Sequence, residues 1–231
     1  MKTTAIIVGA GSSTRMGKTI SKQLIKLNGT ETILYTLRAF QSAENIDEIV
    51  VVCRAEDKEE IIQLAHSNNI TKAVAFTQGG STRQQSVANG VLCVSDDTDY
   101  IAIHDGARPL VLPEDINAVV NNAVKYKSSA LGVFVKDTIK VIDENGFISS
   151  TPDRSKLIAI YTPQVFELSL YKSAMEKANK EEKDYTDDCQ LVESLGEKVY
   201  VTKGNATNIK LTTPEDIVIA ESFLSNRGEN K

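Results

Sequence analysis

The chain has 231 residues, a formal net charge of −5 and three cysteines, and 41% of its residues are hydrophobic. These values are typical of a globular α/β protein of one large or two small domains, and the negative charge argues against a surface that binds nucleic acid. No apolar run reaches transmembrane length and the N-terminus lacks a signal-peptide pattern, so we expect a cytoplasmic protein without membrane partners. The cysteines and the two histidines are widely spaced, which favours reduced thiols and no zinc site.

Short apolar runs alternate with helix-like segments along the chain. The β-branched runs are typical of strands buried on both faces, and the alternation predicts βαβ units. We therefore expect one domain over residues 1–231, with a Rossmann-like α/β fold in which helices flank a mostly parallel sheet. Predicted strands are 4–8, 49–53, 72–77, 100–103, 130–135 and 198–202. Predicted helices are 33–40, 56–67, 81–92, 113–126, 167–177, 187–195 and a last one after Pro214, before a frayed tail at 227–231.

One segment interrupts this alternation. Asn145-Gly146 is a strong hairpin turn signal, and Ile139, Val141 and Phe147 are apolar positions around it. We expect a protruding β-hairpin arm over residues 136–156 whose apolar side chains need a cover. A second subunit could supply that cover in a homodimer; the alternative is a hairpin folded over its own domain.

The first predicted strand runs into a glycine-rich turn at residues 9–11, followed by the cations Arg15 and Lys22. Bare backbone N–H groups together with two positive side chains suit a nucleoside triphosphate. Thr14 stands where a dinucleotide fingerprint has its third glycine, and no Walker pattern is present. The alternative interpretation is a solvated basic loop.

Two more loops follow predicted strands. One carries glycines before a helix, and its Arg83 is a cation that helix capping alone does not require. The other carries Asp105, at the strand end where open α/β sheets bind ligands, and Arg108 lies nearby. A lone aspartate there is a candidate Mg²⁺ ligand, and the alternative is a cap or turn residue. We interpret His104 as a packed, hydrogen-bonded side chain rather than a catalyst.

A series of short blocks covers residues 4–223. In order they are Gly-Ala-Gly-x-x-x-Arg-Met-Gly, Lys-Gln, Gly-Gly-x-x-Arg-x-x-Ser, His-Asp-Gly-Ala-Arg-Pro, Lys-Asp-Thr-Ile-Lys, Asp-Arg-x-x-Leu, Thr-Pro-Gln-x-Phe, Thr-Asp-Asp and Asn-Ile-Lys-Leu-Thr-Thr-Pro-Glu-Asp. Together they resemble the 2-C-methyl-D-erythritol 4-phosphate cytidylyltransferases, the CTP-using enzymes of the non-mevalonate isoprenoid pathway.

The resemblance implies a role for each group of residues. Arg15 and Lys22 would be catalytic, holding the triphosphate and stabilising the transition state, and Asp105 would serve a Mg²⁺–phosphate site. Nucleotide-binding residues would be Gly9, Ala10, Gly11, Gly79, Gly80, Ser81, Arg83 and Ser86. Residues for the polyol phosphate would be Arg108, Thr138, Arg154 and Lys210. The arm would cross a homodimer, so that Thr138 and Arg154 serve the partner's site.

The reaction that the resemblance implies is attack of a polyol phosphate oxygen on the α-phosphorus of CTP, with release of pyrophosphate. The nucleophile is already an anion, so no general base is needed. One alternative is a ribitol 5-phosphate cytidylyltransferase, which shares the fold and the chemistry. A second is a nucleotide-binding module without catalysis. A third, a Rossmann oxidoreductase, is disfavoured by the missing third glycine and by the loop cations.

Overall fold

The computed structural model describes residues 1–11 and 21–228. The strands are β1 (Thr3–Val8), β2 (Lys26–Leu27), β3 (Thr30–Glu31), β4 (Glu48–Cys53), β5 (Ala73–Gln78), β6 (Tyr100–Asp105), β7 (Ser128–Phe134), β8 (Val141–Ile142), β9 (Ile148–Ser150), β10 (Ile158–Glu167) and β11 (Tyr200–Lys203). The helices are α1 (Thr32–Ser42), α2 (Lys58–Ser67), α3 (Arg83–Val91), α4 (Pro113–Tyr126), α5 (Leu168–Lys180), α6 (Asp188–Glu193) and α7 (Pro214–Asn226). None of these helices is both long and apolar enough to cross a membrane.

Seven strands form one sheet in the order β11-β7-β10-β6-β1-β4-β5. Neighbours from β6 to β5 are parallel, as are β7 and β11, whereas β10 runs antiparallel to both β6 and β7. The prediction of a mostly parallel Rossmann-like sheet is confirmed. Because β1 and β6 are parallel and in register from Thr3 to Val8, their carboxyl ends meet at one edge, with Val8 beside Asp105.

Strand β10 has no counterpart among the strands predicted from the sequence. Pro163 lies within it, and proline lacks the N–H that a central strand donates to its ladder. The structure accommodates Pro163 at an irregularity: the pairing with β7 shifts register between Ile160 and Gln164, and the pairing with β6 begins only at Gln164. The proline therefore lies where the ladder is already interrupted.

The core lies on both faces of the sheet, because successive strand residues point to opposite sides. Ile7 packs into the cluster beneath α1, α2 and α4, whereas Ile6 packs into the cluster beneath α3, α5 and α6. A third cluster joins α7 to Leu110 and Leu211, and this packing anchors the loop before α7. Arg227 was predicted to begin a frayed tail, but its Nη2 donates to the Leu110 carbonyl at 3.1 Å and to Thr207 Oγ1 at 2.6 Å.

The predicted hairpin forms around Gly146, whose φ of +85° favours glycine. Asp143 Oδ1 accepts hydrogen bonds from the backbone of Asn145 and Phe147 and thereby closes the turn. Side chains along residues 136–151 are exposed, including Phe147 at 72% and Ile148 at 62%. The hairpin therefore presents apolar side chains to solvent rather than to its own sheet.

Candidate functional site

A cleft of about 470 Å³ opens at the carboxyl edge of the sheet, between the turns that follow β1 and β5. Its lining in the described part of the chain is Val8, Ala10, Gly11, Lys22, Gln23, Gly80, Ser81, Thr82, Arg83, Ser86, Asp105, Ala107 and Lys210. Most of the predicted nucleotide-binding residues thus meet in one place. A larger, more open groove near Tyr100 lies at the amino end of β6 and contains none of the predicted site residues.

Glycines allow the two turns to approach each other closely. A Cβ on Gly79 would overlap the Cβ of Ala10 and lie 2.9 Å from Ser86 Oγ, and a Cβ on Gly9 would lie 3.0 Å from Gln23 Cγ. Ser86 Oγ accepts from the Gly80 N–H at 3.0 Å, which fixes the second turn to α3. Gly9 and Gly79 therefore shape the cleft from behind, whereas their neighbours in sequence line it.

Asp105 is the centre of a charged cluster at the end of β6. Its Oδ2 accepts from Lys210 Nζ at 2.7 Å and its Oδ1 from Arg83 Nε at 3.3 Å, while Arg108 Nε lies 4.0 Å from Oδ2. Burial works to raise the pKa of the Asp105 carboxyl, but Arg83, Lys210 and Arg108 together hold that pKa well below its usual range. Asp105 is therefore ionised, and its charge is shared among three cations.

Arg108 lies behind Asp105 rather than on the cleft lining. Its guanidinium stands 4.5 Å above the ring of Tyr161, and Nη1 donates to the Asn208 carbonyl at 2.8 Å. Burial lowers the pKa of Arg108, and Asp105 opposes that effect. Asn208 Nδ2 in turn donates to the Thr162 carbonyl at 2.9 Å. Asn208 and Thr162 belong to blocks of the resemblance, but the sequence did not indicate that they support Arg108.

His104 is a packed, hydrogen-bonded side chain, as predicted. Its Nε2 lies 3.1 Å from the Arg108 carbonyl, which can only accept, so Nε2 carries the proton. Nδ1 then accepts from the Thr162 hydroxyl at 3.1 Å, and that oxygen accepts from the Asp105 N–H. Complete burial lowers the pKa of His104 to about 4, so the ring is neutral. It braces the backbone on both sides of the charged cluster.

Acid should weaken the fold through His104. Because its pKa is lowered on folding, its contribution to stability is complete above the usual value of 6.5 and is lost as the pH falls towards about 4. Between about pH 7.5 and about pH 5, the unfolding free energy of wild type should fall by about 2 kcal/mol more than that of His104→Asn. Urea unfolding at both pH values measures this difference, and equal pH dependence would contradict it.

Lys22 reaches the cleft from a short 3₁₀-helix, Lys22–Leu24, which the Ser21 hydroxyl caps. Its Nζ donates to the carbonyls of Leu211 at 3.1 Å and Thr212 at 3.3 Å. These carbonyls follow Lys210 directly, so one loop positions both lysines at the same side of the cleft. Arg15, the other predicted catalytic residue, lies outside the described residues.

Thr138 and Arg154 are exposed on the arm and are not among the described residues that line the cleft. Arg154 Nη1 donates to the Lys136 carbonyl at 2.9 Å, so it braces the base of the arm. Within a single chain the structure does not bring these two predicted substrate-binding residues to Asp105.

No group of three or more His, Cys, Asp or Glu side chains is arranged to hold a metal ion among residues 1–11 and 21–228. Asp105 is the one carboxylate on the described lining of the cleft. An ionised aspartate in a cationic cleft fits Mg²⁺ of the kind that takes one or two carboxylates and completes its shell with phosphate oxygens. The donor set thus suits an ion that arrives with a nucleotide.

Comparison with known proteins gives a consistent result. The model of the family IspD, 2-C-methyl-D-erythritol 4-phosphate cytidylyltransferase, matches residues 3–226. The chain is 47% identical over 228 residues to the enzyme of that name from Caldanaerobacter subterraneus subsp. tengcongensis. The aligned region covers 97% of this chain and 99% of that enzyme. The chain is 42% identical to the Clostridium novyi enzyme of the same name, with 97% of both chains covered.

Solved structures agree with the sequence relatives. The crystal structure of 4-diphosphocytidyl-2C-methyl-D-erythritol synthase from Anaerococcus prevotii superposes with a TM-score of 0.87 at 31% identity, over 97% of this chain and 98% of that one. Fold, cleft and full-length similarity thus lead to one assignment. The chain belongs to the 2-C-methyl-D-erythritol 4-phosphate cytidylyltransferase family.

Proposed function

We propose that this chain transfers the cytidylyl group of CTP to 2-C-methyl-D-erythritol 4-phosphate and releases pyrophosphate. The observation that carries the proposal is the ionised Asp105 shared by Arg83 and Lys210 in a cleft that Lys22 also lines. Such a cleft suits two phosphorylated substrates, because its cations offset the repulsion between the two anions. Both substrates are charged compounds, and their use supports a cytoplasmic location.

The nucleotide would occupy the side of the cleft formed by the two turns. Gly80, Ser81 and Ser86 line it opposite Ala10 and Gly11. Gly9 and Gly79 permit the close approach that forms this wall. We place the base and the ribose there, with the triphosphate directed towards Lys22 and, from the loop outside the described residues, Arg15.

The chemistry requires charge stabilisation and positioning rather than proton abstraction. A polyol phosphate is already an anion near neutral pH, and the neutral His104 has both ring nitrogens engaged, which agrees with a reaction that uses no general base. Lys22 and Lys210 would hold the two anions in line and stabilise the charge that builds up at phosphorus. Asp105 would hold a Mg²⁺ ion, which when bound neutralises phosphate charge.

The polyol phosphate would be held by residues from two chains. Lys210 would contribute from one chain, where Arg108 adds its positive charge from behind Asp105, and Thr138 and Arg154 would contribute from the arm of a partner in a homodimer. The exposed apolar residues of the arm, such as Phe147, support a cover supplied by a second copy. The position of Arg154 away from its own cleft supports the same arrangement.

Pyrophosphate release tests the proposal directly. Wild-type protein with CTP and Mg²⁺ should turn over 2-C-methyl-D-erythritol 4-phosphate faster than ribitol 5-phosphate. Faster turnover of ribitol 5-phosphate would overturn the choice of substrate. Tight binding of CTP without pyrophosphate release from either compound would instead identify a nucleotide-binding module.

Subunit mixing tests the arm. Arg154→Ala should mainly raise the KM for the polyol phosphate, because a guanidinium that grips a phosphate is lost. If Arg154 acts in the partner's site, mixing this variant with Lys22→Ala should create dimers with one fully native site. At equal amounts about a quarter of all sites would be native, which pyrophosphate release at low polyol phosphate would detect.

The control mixture combines Arg154→Ala with Thr138→Val. Both substitutions lie on the arm, so each site of a mixed dimer would receive one altered arm and no activity should be recovered. No recovery in the Lys22→Ala mixture, once mixed dimers are verified, would place Arg154 in its own chain's site. Recovery in the control would instead show that Thr138 and Arg154 serve different sites. If Arg154→Ala raised only the KM for CTP, that result would contradict a role of Arg154 in binding the polyol phosphate.

A further inference from the structure

Asp188 is a buried carboxylate behind the wall of the cleft. It is the first residue of α6, only 3% exposed, and absent from the described lining of the cleft. Its Oδ2 lies 2.7 Å from Arg83 Nη1 in an ion pair. The block Thr-Asp-Asp contains this residue, yet neither the sequence nor the proposed function assigns it a role.

Two elements, α5 and β10, hold the side chain and the backbone of Asp188 in place. Its Oδ1 accepts from the hydroxyl of Tyr171, on α5, at 2.7 Å. The backbone N–H groups of Asp188 and Cys189 both donate to Gln164 Oε1, on β10, at 3.1 Å. Burial raises the pKa of the Tyr171 phenol well above its usual value, and Asp188 adds to this, so Tyr171 remains a donor. The acid is thus fixed before any ligand binds.

Arg83 is shared between Asp188 and Asp105. On the side away from the cleft, Nη1 of Arg83 forms the ion pair with Asp188. On the cleft side, Nε of Arg83 donates to Asp105 Oδ1 at 3.3 Å. The guanidinium is a rigid plane, so fixing one nitrogen orients the others. Without the ion pair to Asp188, Arg83 could turn two N–H donors onto the Asp105 carboxylate and compete with Lys210 for Oδ2. The shared geometry leaves Oδ2 of Asp105 to Lys210.

We propose that Asp188 is a positioning residue for the transfer reaction, holding Arg83 so that the guanidinium meets Asp105 and the bound nucleotide in a fixed orientation. The proposal rests on the proposed function. Asp188 is not among the described residues that line the cleft, and it reaches the lining through its ion pair with Arg83, so its effect on activity should pass through Arg83.

A double-mutant cycle tests this dependence. The kcat/KM for CTP is measured for wild type, Asp188→Asn, Arg83→Gln and the double variant. Asp188→Asn should lower kcat/KM by about tenfold or more in the wild-type background and by less than about twofold in Arg83→Gln. Asp187→Asn is the matched control: it changes the adjacent acid, whose side chain caps α6 at the Gln190 N–H, and asparagine caps equally well. It should stay within about twofold of wild type.

The outcomes separate positioning from mere stability. A folded Asp188→Asn variant within about twofold of wild type, or an equal loss in both backgrounds, would overturn the proposal. Tyr171→Phe gives a second route, since it removes only the hydroxyl bound to Asp188. It should cost about threefold in kcat/KM, and less in Arg83→Gln. If Asp188→Asn does not fold, wild-type kcat/KM in Tyr171→Phe would overturn the proposal instead.

The failure of the proposed function is recognised separately. Wild-type pyrophosphate release is measured first, and if neither polyol phosphate is turned over, that function fails. The same cycle is then measured as the dissociation constant for CTP by calorimetry. A loss of affinity in Asp188→Asn that disappears in Arg83→Gln supports positioning, and an affinity unchanged by either Asp188→Asn or Tyr171→Phe overturns it.

Discussion

Replacing Lys22 by alanine should lower kcat by about a hundredfold, equivalent to about 3 kcal/mol, while the KM for CTP changes little. The ammonium lies on the cleft lining, where the Leu211 and Thr212 carbonyls orient it. A cation fixed in this way acts mainly on charge that develops during the reaction, because the ground-state nucleotide has other contacts. Steady-state pyrophosphate release gives both constants.

Lys26→Ala is the matched control for this variant. Lys26 lies four residues further along, its side chain is 63% exposed, and it pairs with Glu31 at 3.2 Å. An exposed pair of this kind contributes little, so the control should behave as wild type within about twofold. A Lys22→Ala protein whose kcat stays within about tenfold of the wild-type value would contradict the catalytic assignment of Lys22.

The parts of the site that were predictable are local patterns at strand ends. The glycine turn at residues 9–11 and the position of Asp105 follow from a buried strand that ends in a loop, since a parallel sheet places such loops at one edge. Arg83 was predicted to bind a ligand because the N-terminal cap of its helix does not require a positive side chain. Each inference uses only residues near one another in the chain, and the structure brings Arg83 and Asp105 together.

The parts that were missed depend on distant contacts. Strand β10 escaped prediction because Pro163 is unfavourable in a central strand, and only the pairing irregularity beside it resolves the conflict. Asp188 meets Arg83 across a separation of more than 100 residues, through an antiparallel strand that was not foreseen. The burial of Arg108 against Tyr161 likewise requires β10 to be in place. From the sequence, the proposed two-chain site for Arg154 rests on the resemblance alone.

Asp105→Asn should lower kcat/KM by about a thousandfold, the largest effect we expect from a single substitution. Asparagine keeps the size of the side chain and the backbone N–H bond to Thr162, but it leaves Arg83, Lys210 and Arg108 close together without their shared anion. It also removes the carboxylate proposed to hold Mg²⁺. Asp99→Asn, one residue before the start of the same strand and more than half exposed, is the control and should retain wild-type activity.

Two consequences of Asp105→Asn can be separated by a second change. Loss of the shared anion should reduce the unfolding free energy by about 3 kcal/mol, because removing one partner of a buried ionic cluster leaves the others uncompensated. Adding Lys210→Met removes one of the stranded cations and should restore part of that stability in urea unfolding. Activity should stay low in the double variant, since neither the carboxylate nor the lysine is present. An Asp105→Asn protein that keeps more than about a tenth of wild-type kcat/KM at the same Mg²⁺ concentration would show that the carboxylate serves the fold rather than the reaction.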